Sequence, residues 1–363
     1  MRDPLIPQNI AERLRGAVGD AGILTDPFEM APYLSDWRDR KAGRAECVVL
    51  PATTKQTADV VRIARESGRA IFPQGGNTGL CYGAVPSEDG AGIVLGLHRM
   101  NRIRDIDKAD NAIIVDGGVV LSAIHAAAED IGRAFPLHLG SEGTAQIGGL
   151  ISTNAGGTNA LRYGTARDLV YGLEVVLADG QVLKDLSPLR KNNTGYDLKH
   201  LFIGAEGTLG IITGASLKLH PAIRSAAHAW AAAATPDSAL TLLQKLQDRF
   251  DTAILACELL SRSQIDLVLR HIPRTRQPFG KTPEWSVLIE LGSADGDDDL
   301  KTKLEEFLMP ILEDGILEDA VVAQNISQSS EFWHVRHSVS EANKLAGYGL
   351  THDISVKDRK SVV

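Results

Sequence analysis

Three tracts of small residues limit what this chain can fold into: Gln74-Gly-Gly-Asn-Thr-Gly-Leu80, Gly140–Gly157 and Gly204–Ile212. Stretches with so few bulky side chains cannot build a core of their own. They suit places where backbone must lie close to another backbone or to a flat, extended molecule. The chain has 35 glycines in 363 residues, above the usual ~7%, and they concentrate between Gly75 and Gly214. The first tract follows the apolar run Ala70–Phe72, which reads as a strand. Its closely spaced N–H groups and the Thr78 hydroxyl can form an anion nest, for which a pyrophosphate is the natural guest. One Gly-Gly pair would equally suit a long turn; three such tracts together favour a large cofactor. The dinucleotide fingerprint GxGxxG is absent from this loop and no Walker A sequence occurs. Gly280-Lys281-Thr282 imitates the end of one, but Thr275 stands where its first glycine is needed.

Around these tracts, strand and helix patterns alternate. Cys47–Leu50 is a short apolar strand ended by Pro51, and Thr53 with Gln56 predicts a capping box. That box opens a helix with Val60, Val61 and Ala64 on one face and Gly68 as its stop. Strands are predicted at Gly92–Leu97 and Ala112–Val115, and a helix over Leu121–Ile131. Asp179-Gly180 reads as a two-residue hairpin turn. Near Ala226 the glycine density falls. A β-α-β-β-α-β order follows, with strands at Ala227–Ala233, Ala253–Leu260, Trp285–Leu291 and Leu317–Gln324. Its helices are predicted at Pro236–Arg249, Ser263–Leu269 (short) and Asp297–Leu312, and a last helix at Ser329–Leu345. The order is that of a ferredoxin-like antiparallel domain. The expected division is a helical lead over 1–41, a cofactor domain over 42–221, a cap domain over 226–357 and a tail over 358–363.

The formal net charge of −8 argues against a nucleic-acid partner. Cys47, Cys81 and Cys257 are far apart and odd in number, so neither a disulfide framework nor a zinc ribbon is expected. No apolar stretch is long enough to span a membrane, and the N-terminus lacks a signal-peptide run. A cytoplasmic location is therefore expected.

The motifs resemble those of FAD-linked oxidases of the vanillyl-alcohol oxidase and p-cresol methylhydroxylase (PCMH) type, and among them D-2-hydroxyglutarate and D-lactate dehydrogenase-like proteins. The matching segments are VVLPATT (48–54), PQGGNTGL (73–80), GSEGTAQIGGLISTNAGG (140–157), YGLEVVLADG (171–180) and KNNTGYDLKHLFIGAEGTLGIIT (191–213). The resemblance implies an α+β protein with a two-part PCMH-type FAD-binding domain and the cap domain. It implies that Pro73, Gly75, Gly76, Asn77, Thr78 and Gly79 cradle the FAD pyrophosphate. Gly140, Ser141, Thr144, Gly148, Gly149, Asn154, Gly156 and Gly157 would run beside the flavin. Glu206, Gly210 and Ile211 would lie near the ribose and adenine. No histidine stands in the first loop, so FAD is expected to be non-covalent.

A 2-hydroxy acid needs a cation for its carboxylate and a base for its hydroxyl proton while hydride passes from C2 to flavin N5. Arg336, in Phe-Trp-His-Val-Arg, matches the family's W-x-x-R arginine; read without the resemblance it suits a solvated helix face. Ser340 would face the same way one turn later. Asn193 and Tyr196 are candidates for the flavin face, or simply members of a self-capping loop. Thr351 stands before His352-Asp353 where relatives carry a lysine, which leaves recognition of a dicarboxylate open.

The resemblance also implies a C-terminal extension with a histidine-rich metal motif, H-x-G-D-G-N-x-H. It is absent here, so no residue of this chain is expected to hold a metal, and a divalent ion is expected only in a full-length parent. Asp358–Val363 matches no part of the family and reads as an adapter-encoded tail. The reading is a D-2-hydroxy-acid dehydrogenase lacking its C-terminal closing elements and hence turnover. A protein or quinone electron acceptor and a homodimer are allowed. The alternatives are a non-catalytic flavin-binding module and a misassembled fragment.

Overall fold

The computed structural model describes residues 6–90, 92–296, 299–347 and 349. The segment around His352 and the tail 358–363 lie outside them. The chain divides into two units. One runs to Gly157 and resumes over Tyr163–Ala222; the other holds Thr158–Arg162 and the chain from Ile223 onward.

The first unit opens with α1 (Gln8–Val18), β1 (Ile23–Leu24), α2 (Pro27–Leu34), β2 (Cys47–Val49), α3 (Thr54–Glu66), β3 (Ala70–Gln74) and β4 (Gly92–Gly96). Its sheet has the order β1-β2-β4-β3, with β2, β4 and β3 parallel and β1 antiparallel to β2. Thr53 caps α3 by accepting from Gln56 N–H at 3.1 Å. The Gln56 side chain reaches one residue beyond the expected box and accepts from Ala52 N–H at 2.7 Å. Val60, Val61 and Ala64 are buried as the periodicity predicts, together with Ile10 and Leu14 of α1. Each large apolar side chain buried there contributes about 1.5–3 kcal/mol. Cys47 is fully buried, and burial pushes its thiol up to about 12, so it packs as a neutral core residue. Strand β3 runs two residues further than predicted and includes Pro73, which its position at the sheet edge permits.

The second half of this unit follows as β5 (Ile103–Asp107), β6 (Ala112–Asp116), α4 (Leu121–Asp130), β7 (Arg133–Ala134) and α5 (Ile147–Ser152). After α6 (Ala160–Tyr163), whose first three residues belong to the other unit, it continues through β8 (Val170–Val176), β9 (Val182–Asp185), α7 (Lys199–Phe202), β10 (Ile211–Lys218) and β11 (His220–Pro221). An antiparallel sheet of order β5-β6-β10-β8-β9 forms, and β7 pairs with β11. Sequence periodicity alone predicts neither β5 nor β10. The β8–β9 turn is looser than expected. Leu177 and Gln181 pair across three residues, and Gly180 takes φ 81°, a bulged hairpin rather than a two-residue turn.

A buried charge network joins the two halves. Asp116 is fully buried and accepts from Arg104 Nε at 2.6 Å and Arg102 Nε at 3.1 Å. Arg104 Nη2 donates to Glu174 Oε1 at 2.8 Å, and that oxygen also accepts from Thr54 of α3 and Thr213 of β10. Burial alone would raise the Glu174 carboxyl, but the bonds from Arg104, Thr54 and Thr213 outweigh it and hold the group below its ordinary value.

The second unit holds β12 (Ser225–Ala233), α8 (Pro236–Phe250), β13 (Ile254–Ser261), α9 (Arg262–His271), β14 (Trp285–Ser293), α10 (Leu300–Glu313), β15 (Asp319–Val322), α11 (Ile326–His337) and α12 (Val339–Ala346). The sheet order β13-β14-β12-β15, antiparallel throughout, is the ferredoxin-like one. Thr235 caps α8 with Pro236 in its first turn. Two apolar clusters form: α8 and α10 with Ala229 and Ile289 make one, α9 and α11 with Trp230 and Leu288 the other. The single helix expected over 329–345 is instead two, divided at Ser338. All four strands expected from the sequence pair in one sheet among the described residues, which does not favour the misassembled-fragment alternative.

Replacing Arg104 with Met should cost about 3–5 kcal/mol, because it removes the guanidinium that two buried carboxylates share and leaves Asp116 to the exposed Arg102 and Glu174 Oε1 to two hydroxyls. Glu174→Gln tests the pH dependence. The folded carboxyl titrates below its ordinary 4.5, so its contribution is fully present above that pH and fades as pH falls through the lowered value. Chemical denaturation should show the variant weaker than the parent at pH 7, with the gap closing as pH falls below the carboxyl's ordinary 4.5 and through its lowered value. A gap that widens in acid would contradict the network.

Candidate flavin cradle and carboxylate site

The three glycine tracts converge in the first unit, and their glycines fall into two groups. A Cβ on Gly76 would lie 2.1 Å from the Thr144 carbonyl oxygen, and one on Gly148 2.8 Å from that of Gly117. On Gly157 it would meet the His138 carbonyl oxygen at 2.5 Å, and on Gly210 the Val175 side chain at 2.6 Å. These four are glycine because the protein's own chain occupies the space. At Gly75 and Gly149 the nearest atoms are each other's backbone and Gln146, at 3.5 Å or beyond, and at Gly79 nothing lies within 4 Å. Gly156 meets only the Thr165 methyl at 3.8 Å. Bare backbone at Gly75, Gly79, Gly149 and Gly156 is the surface a phosphate-bearing ligand can approach.

Two further observations fit a large polar cofactor. Gln146 is 3% exposed, and its Oε1 finds no hydrogen-bond partner among the described residues. A buried acceptor of that kind calls for a donor. A cavity of about 570 Å³, lined by Leu24, Glu29, Tyr33, Gln74, Gly76 and Asn77 among others, adjoins the first loop.

Several of the expected contact residues have partners within the protein itself. Asn77, at φ 53°, donates to the Ser35 carbonyl at 2.7 Å and so holds the end of α2 against the loop. Asn154, at φ 51°, accepts from Thr165 Oγ1 and Arg167 N–H at 2.9 and 3.0 Å. The Ser141 carbonyl accepts from Ala145 N–H at 2.8 Å, and Thr144 spends its hydroxyl on the same carbonyl at 3.4 Å. Glu206, also at positive φ, bonds through its N–H to Ser152, while Gly207 lies against Pro73. Ile211 is buried at the start of β10. Thr78 is half-buried, and Gly140 lies exposed on the loop before α5. Asn193 and Tyr196 sit on an exposed loop, Tyr196 at 93% exposure.

In the second unit, Arg336 on α11 donates from Nε to Glu258 Oε2 of β13 at 2.8 Å. Ser340 lies past the break at Ser338, on α12, and is exposed. It therefore does not follow Arg336 on one continuous helix.

The histidines were expected to hold no metal, yet three candidate ligands gather in the first unit: His125 of α4, His138 and Glu142. The spacing H-x12-H-x3-E is the signal that sequence reading passed over.

A two-part domain with paired glycine tracts and a ferredoxin-like cap defines a PCMH-type flavin-binding fold. Known structures agree. An alkyldihydroxyacetonephosphate synthase superposes over 93% of this chain and 65% of its own, with TM-score 0.73 and 17% identity. p-Cresol methylhydroxylase superposes over 88% and 66%, with TM-score 0.69 and 17% identity. Residues 45–185 match the FAD binding domain, and 223–360 match the C-terminal domain of FAD linked oxidases. A mitochondrial D-2-hydroxyglutarate dehydrogenase of Arabidopsis thaliana is 37% identical over 93% of this chain and 60% of its own. The Bos taurus enzyme of that name is 35% identical over 92% and 60%. A D-2-hydroxyglutarate–pyruvate transhydrogenase of Saccharomyces cerevisiae is 34% identical over 93% and 68%. The chain belongs to the FAD-linked oxidases related to D-2-hydroxyglutarate dehydrogenases, and FAD is its cofactor. It spans about 60% of the length of the first two relatives.

The cytoplasmic expectation is corrected: the plant and animal relatives are named as mitochondrial enzymes. The cysteine pattern speaks only to a reducing compartment, and a mitochondrial matrix meets that condition as well as a cytosol does.

The two groups of glycine separate experimentally. Gly76→Ala should lower the melting temperature and the flavin content together, because its Cβ collides with Thr144. Gly79→Val should leave the flavin-free melting temperature nearly unchanged, as for surface changes within about 0.5 kcal/mol, yet reduce bound flavin measured by absorbance after denaturation. Full flavin occupancy in Gly79→Val would move the phosphates away from that end of the loop.

Proposed function

We propose that this chain is the FAD- and carboxylate-binding part of a dehydrogenase for a D-2-hydroxy acid of the 2-hydroxyglutarate or lactate type. When bound, FAD supplies the hydride acceptor. The backbone of Gly75, Gly79 and Gly149 would hold its phosphates, and the Gln146 amide would meet one of its donors. Arg336 would hold the substrate carboxylate.

The observation that carries the substrate reading is the Arg336–Glu258 bond. It engages Nε of a half-buried guanidinium and so fixes the plane of the group. The Nη1–Nη2 edge is the one from which a bidentate grip on a carboxylate would come. A freely rotating surface arginine would lose more entropy on binding. Ser340, Asn193 and Tyr196 remain proposed helpers, with exposure as their common feature.

The test is a titration of the flavin-loaded chain with D-2-hydroxyglutarate and D-lactate, followed by the flavin absorption band. Arg336→Ala should weaken binding about 10- to 100-fold, as loss of a charged hydrogen-bond pair worth ~1.5–3 kcal/mol requires. Arg336→Lys should recover little, since an ammonium cannot form the fork. Equal affinities in the parent and both variants would place the carboxylate site elsewhere.

A further inference from the structure

We propose that His125, His138 and Glu142 form a divalent-metal site of the zinc type, which ties α4 to the Gly140–Thr144 loop of the flavin cradle. His138 Nδ1 lies 3.3 Å and His125 Nδ1 3.7 Å from the same oxygen, Glu142 Oε2. The candidate ligand atoms all lie within 4.8 Å of one another. Two ligands bonded to a tetrahedral ion at ~2.0–2.1 Å stand ~3.3–3.4 Å apart. The two nitrogen–oxygen separations are close to that value, while the histidine nitrogens, within 4.8 Å of each other, would have to draw together around an ion.

The orientation of His125 is the stronger argument. Its Nε2 lies 3.0 Å from the Leu137 carbonyl oxygen, a partner that can only accept. Nε2 therefore carries hydrogen, and in the neutral ring Nδ1 presents its lone pair toward Glu142. A lone pair facing a carboxylate oxygen is repelled by it, and either a proton on Nδ1 or a metal ion held between the two groups relieves that repulsion. Protonated rings would pair with Glu142 without a metal, so the metal titration below decides between the two. A ring nitrogen bonded to a carbonyl while the other ligates is also the usual outer support of a histidine ligand. The two rings lie 4.5 Å apart at 32°, next to each other beside the one carboxylate.

Two imidazoles and one carboxylate suit zinc and its first-row neighbours, whereas calcium and magnesium favour all-oxygen sets. Side-chain exposures of 19% for His125 and 43% for the other two leave a fourth position open to water. The site would brace the cradle. Gly157 packs on the His138 backbone and Gly76 on the Thr144 carbonyl, while Ser122 N–H of α4 donates to the Glu142 carbonyl at 3.0 Å. A bound ion would hold the same loop by its side chains, so it should slow flavin loss.

The experiment uses the 363-residue chain, stripped with a chelator, then titrated with Zn2+ by calorimetry and with Co2+ by visible absorption. One bound Zn2+ is expected, with the intense d–d bands of low-coordinate Co2+. His125→Gln and Glu142→Gln should each weaken Zn2+ binding about tenfold or more, since even outer-shell changes cost 10–100-fold. Glu142→Gln is half-exposed and should keep the metal-free melting temperature, which separates loss of a ligand from misfolding. Flavin release should slow with Zn2+ in the parent and not in either variant. Absence of Co2+ bands, or Zn2+ affinity untouched by both substitutions, overturns the site and leaves Glu142 as an ion-pair partner of the two histidines.

Discussion

Backbone packed directly on backbone is the constraint from which the first unit is built. A Cβ on Gly118 would stand 1.9 Å from the Leu97 carbonyl oxygen, and one on Gly117 2.3 Å from that of Ile212. Gly148 rests on Gly117, and Gly76 on Thr144. Leu97 follows β4 of the parallel sheet and Ile212 belongs to β10 of the antiparallel one, so these contacts bring the two sheets within a peptide's width. With side chains there, the sheets would stand apart and the loops would not meet. The cradle is therefore a consequence of the packing: once the filled glycines close the seam, the bare ones at Gly75, Gly79 and Gly149 are left along its edge.

Close backbone contact positions but does not orient, and the Asp116–Arg104–Glu174 network supplies orientation. Removing two carboxylates and a guanidinium from water is costly, so such a network is weak evidence of added stability. Its geometry is specific nonetheless. Glu174 Oε1 accepts from α3, β10 and Arg104 at once, which is satisfied in only one register of α3 on the antiparallel sheet. Gly214 lies under the Arg104 guanidinium, with room for no side chain. The seam and the network thus set the same relative placement of the two halves by independent means.

The sequence made the glycine tracts, the α3 cap and the order of the cap domain legible because each depends on local chemistry: positive φ, a free N–H, an alternating face. It could not tell Gly76 from Gly79. Both stand in one loop, and what differs is whether Thr144, far along the chain, fills the space. Strand β10 was hidden because it follows a glycine tract and contains Gly214, whose reason is Arg104. The division at Ser338 carries no Gly or Pro to announce it. The His125–His138–Glu142 cluster mixes a helix residue with loop residues, a combination that spacing rules for contiguous motifs pass over.

The Arg336–Glu258 pair bears on substrate choice under the proposed reading. Glu258 takes one edge of the guanidinium and part of its charge, so Arg336 attracts a carboxylate less than a lone arginine would. Some of that loss is regained in geometry, because a fixed plane binds with less entropy to lose. A monocarboxylate needs nothing more. A dicarboxylate brings a second charge that Arg336, already shared, cannot neutralise, so its discrimination must rest on a second cation. The matched segment has Thr351 where a lysine would serve. A chain with this arginine and this threonine should therefore separate 2-hydroxyglutarate from lactate less sharply than one carrying both cations.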